Sequence, residues 1–244
     1  MPLSPPPRPS LAPLSSSLTS SLTSTLTSTL TSTLTSTLTS TLTSTLTSTL
    51  TSTLTSTLTR AGSAAPASDD VRDRRSLLRC FYALIHSLVH SDLVDVLAAP
   101  QNSAHMRPSL RVLLAGCVEG PDLKLQGQCF SILQRLVELW VGSLQGFEAY
   151  VLQEVLPVCF QAPAQPHFSL KDASALPLLE ASASLQKAIL AKLGGELVSY
   201  LRDHLLPSLG CDASFSAEYA RQLAESDTRQ LRDFMRAQLV SARQ

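Results

Sequence analysis

Residues 121–140, PDLKLQGQCFSILQRLVELW, carry the chain's only tryptophan and the strongest helical pattern in the sequence. Apolar side chains recur in this stretch at spacings of three and four residues, which places them on one face of an α-helix. The apolar stripe consists of Leu125, Cys129, Ile132, Leu133, Leu136, Val137 and Trp140, and Phe130 broadens it. A helix with so wide an apolar face packs on more than one side. The stretch therefore predicts an inner helix of a helical stack.

The chain after Ser68 has the same periodicity throughout, and we predict about eight helices with short connectors. The predicted helical ranges are 69–89, 110–118, 121–140, 147–160, 170–193, 196–206, 216–224 and 228–242, with a short helical stretch at 93–98 directly after the first. Residues 100–108 are predicted as a polar loop and residues 161–170 as a proline-rich connector. We expect Pro157 to cut into its helix near the end, and Pro177 to lie in a first turn or at a kink.

The predicted fold class is all-α. After residue 68 the sequence contains no Asn-Gly hairpin signal and no alternating apolar run. The periodicity fits either a closed helical bundle or antiparallel helix pairs stacked as an α-solenoid. No strict repeat of about forty residues is visible, although solenoid repeats diverge readily.

Residues 1–68 differ from the rest of the chain in composition. From Leu18 to Leu58 a leucine falls at every fourth position in the unit Leu-Thr-Ser-Thr, and the only charged residues of the segment are Arg8 and Arg60. Leucines four residues apart drift around a helix by about 40° per step and hold no single face. Because the apolar surface is too small to offset the entropy of ordering, we predict disordered low complexity here. We hypothesise that the segment is a repeat expansion or an error of the gene model.

The charge balance and the termini limit the class of protein. Residues 69–244 carry seventeen basic and all nineteen acidic residues, a net charge of about −2. This balance argues against a generally basic nucleic-acid-binding protein, but a local basic face is compatible with it. Prolines replace the apolar core of a signal peptide, and no run of eighteen apolar residues occurs, so we expect neither secretion nor a membrane span. An O-glycosylated stalk at residues 1–68 is therefore a poor alternative.

The sequence contains no strong motif for catalysis or metal binding. The five cysteines are odd in number and have no paired spacing, so we predict that they are reduced and mostly buried. His86 and His90 lie four residues apart on one helix face, but no third metal ligand follows at a characteristic spacing. No Gly-x-Ser-x-Gly, phosphate-binding loop or Gly-x-Gly-x-x-Gly motif occurs. We predict that the chain is not an enzyme and that it has no catalytic, metal or cofactor site.

One group of basic residues is a candidate site. Arg229, Arg232 and Arg236 are three and seven residues apart on the last predicted helix, so they share a face. Such a face suits contacts with nucleic-acid phosphates. The simpler alternative is an ordinary solvated face, balanced by Glu225 and Asp233.

Four segments together resemble the C-terminal part of the exportin-T family, the nuclear export receptors for tRNA. They are PDLKLQGQCFSILQRLVELW (121–140), GFEAYVLQEVLPVCFQAPAQPHFSLKDA (146–173), LVSYLRDHLLPSLG (197–210) and the terminal helix before Arg243-Gln244. Their order and spacing are similar to those of the family's closing helices. The resemblance covers roughly residues 72–244, and we take residues 69–244 as an exportin-T-like C-terminal helical-repeat domain.

The resemblance implies a HEAT-repeat-type α-solenoid of antiparallel helix pairs. Members of this family bind mature tRNA together with the GTP-bound form of Ran, and they recognise the shape and backbone of the RNA. The implied partners are tRNA, Ran-GTP and nuclear pore proteins, without a membrane or a small-molecule substrate. The implied localisation is shuttling between the nucleus and the cytoplasm. Trp140 is implied to be a packing residue.

The resemblance also implies that the chain is a fragment, because the family's N-terminal, Ran-binding repeats are absent from it. We expect the first helix, with Leu77, Phe81 and Leu84, to expose an apolar edge where a preceding repeat would pack. The alternative function is a generic helical-repeat scaffold that binds proteins and no RNA.

Overall fold

The computed structural model describes residues 68–91, 93–119 and 122–242, together with Thr29, Thr33 and Thr37. These three threonines are helical. The Thr33 hydroxyl donates to the Thr29 carbonyl at 2.6 Å, and the Thr37 hydroxyl donates to the Thr33 carbonyl at 2.7 Å. Disorder is predicted for residues 1–68, and apart from these threonines and the helical Ser68 those residues lie outside the described residues.

Every regular element in the described ranges is helical. In chain order the elements are α1 (Ser68–His90), α2 (Asp95–Ala98), a 3-10 turn (Pro100–Asn102), α3 (Ser103–Val118), α4 (Leu123–Trp140), α5 (Phe147–Tyr150, a π turn at Val151–Val155, then Leu156–Ala164), α6 (Ala175–Leu193), α7 (Gly195–Tyr200, a π turn at Leu201–Leu205, then Leu206–Ser208), α8 (Ala213–Glu225) and α9 (Thr228–Ser241).

The helices pack in two rows. In the first row α1 packs on α4, α4 on α6, and α6 on α9. In the second row α3 packs on the C-terminal part of α5, and α7 packs on α8. The rows are joined because α3 also lies against α4, and α5 and α7 lie against α6. Stacked helix pairs in two layers form an α-solenoid, so the predicted fold class is confirmed.

Helix α4 is a central element of the first row. The side chains of its stripe that are fully excluded from solvent are Cys129, Phe130, Ile132, Leu136 and Val137. Leu125 is only half-buried. The Trp140 ring lies edge-on to Phe147, with the ring centroids 5.3 Å apart. Trp140 therefore packs between α4 and α5, as a packing residue does.

Asp122 fixes the start of α4. Its Oδ1 accepts the Leu125 backbone N–H at 3.2 Å, and its Oδ2 accepts from Arg79 Nη2 of α1, also at 3.2 Å. Burial raises the pKa of the Asp122 carboxyl, but the hydrogen bonds from Leu125 and Arg79 outweigh burial and hold that pKa below its usual value. The carboxylate thus joins the N-terminus of α4 to α1.

We expect Asp122→Ala to lower the free energy of unfolding by about 1 kcal/mol, the usual loss on removal of a helix N-cap. Because the folded-state pKa lies below the unfolded-state value, this stabilisation is present above the unfolded pKa and is lost as the pH falls through the folded pKa. Urea unfolding at pH 7 and below about pH 4 measures it. Asp122→Asn, which keeps a cap oxygen, is the control. A loss that stays constant with pH would contradict the role of the carboxylate.

Two segments predicted as connectors are helical instead. The loop predicted at 100–108 is replaced by the 3-10 turn and the start of α3, with Pro108 inside that helix. The connector predicted at 161–170 begins too early, because α5 continues to Ala164 with Pro163 inside it. Each proline removes one backbone hydrogen bond near a helix end. Burial of the neighbouring side chains in the core outweighs that loss.

Helices α5 and α7 each contain a π turn directly before a proline. The hydrogen bonds that span five residues run from the Leu156 N–H to the Val151 carbonyl in α5, and from the Leu206 N–H to the Leu201 carbonyl in α7. A π turn widens the helix where the ring of Pro157 or Pro207 would otherwise meet a carbonyl of the preceding turn. The expectation that Pro157 cuts into its helix is thus corrected, since α5 continues through it.

The exposed apolar edge expected at the first helix is not found among the described residues. Phe81 is 1% exposed, and Leu77 and Leu84 are partly buried against the core. Helix α1 turns this face onto α4 rather than away from the stack. The large apolar side chains that remain exposed lie on separate elements: Leu93, Leu176, Leu209 and Val240. The described helices therefore form their own core.

Candidate nucleic-acid interface

Helix α9 holds the predicted arginines and is defined by strong local signals. Asp227 caps it, since its Oδ1 accepts the Gln230 N–H at 2.8 Å and the Gln230 side chain accepts the Asp227 N–H at 3.0 Å. This reciprocal pair is a capping box. Leu231 and Met235 are buried against the core and fix which side of the helix faces outward.

The structure places Arg232 between two carboxylates. Its Nη1 donates to Glu180 Oε2 of α6 at 3.0 Å, and its Nε donates to Asp233 Oδ1 at 2.9 Å. Only 16% of the side chain is exposed. The hydrogen bonds to Asp233 and Glu180 raise the pKa of the Arg232 guanidinium, so it stays charged. Arg232 joins α9 to α6.

Arg229 and Arg236 are exposed on the same side of α9. They are seven residues apart, which corresponds to about 10 Å along the helix axis. Among the described residues, no acidic side chain forms an ion pair with either guanidinium. The structure therefore separates the predicted triplet into two open arginines and one that is held in an interhelical ion pair.

The two acidic residues expected to balance this face pair elsewhere. Glu225 accepts from Arg221 Nη1 at 2.8 Å on α8, and Asp233 accepts from Arg232. Both pairs reduce the local negative charge that Arg229 and Arg236 meet, although the exposed Arg221–Glu225 pair contributes little to stability. The face formed by Arg229 and Arg236 is therefore locally positive, within a domain of nearly balanced charge.

The other candidate groups lie apart from this face. The rings of His86 and His90 stack with centroids 4.0 Å apart, and His90 Nδ1 lies 2.9 Å from the His86 carbonyl. In the described part of the chain, no group of three or more His, Cys, Asp or Glu side chains is placed to hold a metal ion. No helix there is long and apolar enough to span a membrane.

The cysteines are free thiols in the structure, as predicted. Cys117, Cys129 and Cys159 are buried, Cys211 is half-buried and Cys80 is exposed. Burial raises the pKa of Cys117 well above its usual value and that of Cys159 to about 12. Since the thiolate is the nucleophile, these two buried thiols are poor nucleophiles.

Sequence analysis missed Glu180, the partner that decides the state of Arg232. The two residues are 52 positions apart and meet only because α6 and α9 pack together. No local motif marks such a pair. The spacing of the arginines was sufficient to find the helix face, but not to show which of them is engaged.

Comparison with known proteins identifies related sequences. The family model described as Exportin-T matches residues 18–243 of this chain. Exportin-T of Homo sapiens is 32% identical over 166 residues, which cover 67% of this chain and 17% of that protein. Exportin-T of Danio rerio is 33% identical over 167 residues, with the same coverage. Exportin-T of Mycosarcoma maydis is 27% identical over 186 residues, which cover 72% of this chain and 17% of that protein.

The matches have a limited extent. The chain spans about 17% of the length of these curated relatives. No solved structure matches it.

Proposed function

The chain belongs to the exportin-T family, and on that premise we propose that it acts as a module of a receptor that carries tRNA from the nucleus to the cytoplasm. Its partners are then tRNA, Ran in its GTP-bound form and nuclear pore proteins, and it shuttles between the two compartments. Support comes from the family match over residues 18–243 and from the α-solenoid fold. Solenoids offer extended surfaces for large ligands.

The observation that carries the RNA part of the proposal is the open pair Arg229 and Arg236. Guanidinium groups form bidentate hydrogen bonds with phosphate, and duplex RNA is recognised largely through its shape and backbone. We assign direct phosphate contacts to these two residues. Arg232 completes the candidate site by holding α9 on α6 through Glu180.

The second candidate is a helical-repeat scaffold that binds only proteins. It is favoured by the nearly balanced charge of residues 69–244, which gives no general attraction for a polyanion. The two candidates differ in a measurable way, because phosphate contacts make the affinity fall with salt concentration.

We expect the double variant Arg229→Ala/Arg236→Ala to bind tRNA about tenfold more weakly than the unmodified chain. The slope of log affinity against log salt should become shallower by about 2, because each lost phosphate contact removes about 0.9. The measurement is filter binding of tRNA over a salt series, with and without Ran-GTP. Arg107→Ala/Arg111→Ala, which removes the same charge from the exposed side of α3, is the matched control and should leave the slope unchanged.

Each outcome discriminates between the candidates. Binding that keeps its salt slope in the Arg229/Arg236 variant would show that the contacts lie elsewhere in the chain. Absence of salt-dependent tRNA binding in the unmodified chain, with and without Ran-GTP, would favour the protein scaffold. Arg232→Ala is measured separately, since loss of its ion pair with Glu180 is expected to lower the melting temperature.

A further inference from the structure

The outward side of α1 carries a row of three arginines that is continued by two histidines. Its members are Arg72, Arg75, Arg79, His86 and His90, which we call the α1 stripe. At 100° per residue they fall within an arc of about 60°, and from first to last they extend about 27 Å along the helix. The buried residues Phe81, Ile85 and Val89 occupy a different arc and face the core. The stripe is therefore a straight, solvent-facing edge.

The stripe is open to ligands. Arg72, Arg75, Arg79 and His90 are exposed and His86 is half-buried. Arg79 pairs with Asp122 at 3.2 Å, but both side chains are largely exposed, at 58% and 41%. Such a pair contributes little and is easily exchanged for another anion.

Among the described residues, the one acidic side chain that pairs with the stripe is Asp122, on Arg79. Asp73 lies about 100° or more around the helix from each arginine of the stripe. Arg74 is excluded from the stripe because it is turned inward and its Nε is buried. The positive charge of α1 is thus concentrated on one side, although the chain as a whole has balanced charge.

The C-terminal end of the stripe has an aromatic character. The His86 and His90 rings stack with an interplanar angle of 16° and centroids 4.0 Å apart. Because a carbonyl only accepts, His90 Nδ1 must be the donor to the His86 carbonyl, which leaves Nε2 as the acceptor in the neutral ring. Stacked rings of this kind offer a flat surface to an unstacked base.

The arginines of α1 repeat the spacing found on α9. Arg72, Arg75 and Arg79 are three and seven residues apart, as are Arg229, Arg232 and Arg236. Helices α1 and α9 are the first and last members of the row α1, α4, α6, α9. With about 8–10 Å between neighbouring helix axes, the two arginine groups lie on the order of 25–30 Å apart.

We propose that the α1 stripe is a second tRNA-contact surface, which binds phosphates through Arg72, Arg75 and Arg79 and an unpaired base through the His86–His90 pair. The proposal rests on the proposed function and deepens it, because the ligand is the same tRNA. Arginine rather than lysine supplies every cation of the first half of the stripe, and planar guanidinium groups match phosphate in a bidentate way. The adjoining imidazole rings favour RNA over an acidic peptide, which has no base to stack.

The test compares two triple variants of the full chain in tRNA filter binding over a salt series. Arg72→Gln/Arg75→Gln/Arg79→Gln removes the arginines of the stripe. Arg107→Gln/Arg111→Gln/Arg202→Gln removes three exposed arginines of α3 and α7 and is the matched control. We expect the stripe variant to bind about tenfold more weakly, with a salt slope shallower by about 2 to 3, and the control to keep the slope of the unmodified chain. Circular dichroism verifies that both variants are folded.

A second variant tests the aromatic half of the stripe. We expect His86→Ala/His90→Ala to weaken binding of tRNA while keeping the salt slope, because stacking makes no phosphate contact.

The results separate this inference from the proposed function. If the unmodified chain binds tRNA with a salt-dependent affinity and the stripe variant keeps the full slope, the stripe is overturned and the proposed function stands. An equal loss in the control variant overturns the stripe as well, because binding then follows total charge. If the unmodified chain binds polyglutamate through the stripe and binds no tRNA, the stripe is a binding surface for an acidic protein. Both the proposed function and the inference about the stripe are then overturned.

Discussion

Trp140→Ala is expected to lower the free energy of unfolding by about 3–5 kcal/mol, the usual range for removal of a buried tryptophan. Trp140→Phe is expected to lower it by only about 1 kcal/mol. The ring is 4% exposed and lies edge-on to Phe147, so the alanine variant leaves a cavity between α4 and α5. The indole Nε1 is buried without a hydrogen-bond partner among the described residues. Phenylalanine therefore removes an unsatisfied donor along with part of the ring, which offsets some of the loss.

Urea unfolding followed by far-ultraviolet circular dichroism measures both variants. Leu209→Ala is a suitable control, because Leu209 is 46% exposed and its truncation should change the stability by less than about 0.5 kcal/mol. If Trp140→Phe costs as much as Trp140→Ala, the indole N–H makes a hydrogen bond that stabilises the fold, and the packing role is incomplete.

Two helical glycines are expected to respond in opposite directions to the same change. Gly116→Ala should destabilise the protein by about 1–3 kcal/mol, the usual cost of overpacking a core. A methyl group at Gly116 in α3 would lie 2.5 Å from the Tyr82 hydroxyl and 2.8 Å from Cys129 Sγ. Both neighbours are buried and have little room to move. The better helix propensity of alanine offsets only part of this cost.

Gly127→Ala should stabilise the protein by about 0.5–1 kcal/mol. A methyl group at Gly127 in α4 meets no atom within 4 Å, so only the conformational entropy of the unfolded chain changes. The shift in denaturation midpoint, compared between the two variants, is the measurement. Equal signs for Gly116→Ala and Gly127→Ala would mean that α3 does not approach α4 closely at Gly116.

The helices that follow strong local signals could be predicted from the sequence. Leu231 and Met235 give α9 its buried side, and Asp227 with Gln230 gives its start. The stripe of α4 likewise shows which residues are buried, because its apolar spacing is regular. The order of helices in the row α1, α4, α6, α9 could not be predicted from local spacing, because it depends on contacts between distant segments.

Prolines were the main source of error in the predicted helix bounds. Pro108 and Pro163 lie inside helices, although the local rule for proline predicts a break there. The rule describes an isolated helix, in which a lost hydrogen bond is not compensated by packing. Pro157 is tolerated by the π turn before it, which depends on the backbone geometry of the whole helix.

The spacing of the three α9 arginines was enough to predict that they share a side of the helix, but not which guanidinium forms an ion pair. The three arginines of α9 share a side of the helix, as their spacing indicates. Whether each guanidinium is open depends on Glu180 and Asp233, and only the first of these requires the tertiary fold. The α1 stripe has the same spacing and could have been found from the sequence by the same criterion.

The two π turns bear on the ancestry of the chain. A shift of 50 positions superimposes Tyr150 on Tyr200, and the same shift brings together the π turns and the Leu-Pro pairs that follow them. An extra residue at the same place in both helices is most simply explained by a common origin of α5 and α7. The match does not extend to α4 and α6, where the same shift brings Phe130 onto Glu180 and Ile132 onto Ser182. Helices α5 and α7 have kept buried apolar residues, such as Val151 with Leu201 and Val155 with Leu205, and have diverged at exposed positions, where Glu154 corresponds to His204. Divergence at solvent-facing positions with a retained core is how tandem copies acquire different partners while they keep the same scaffold.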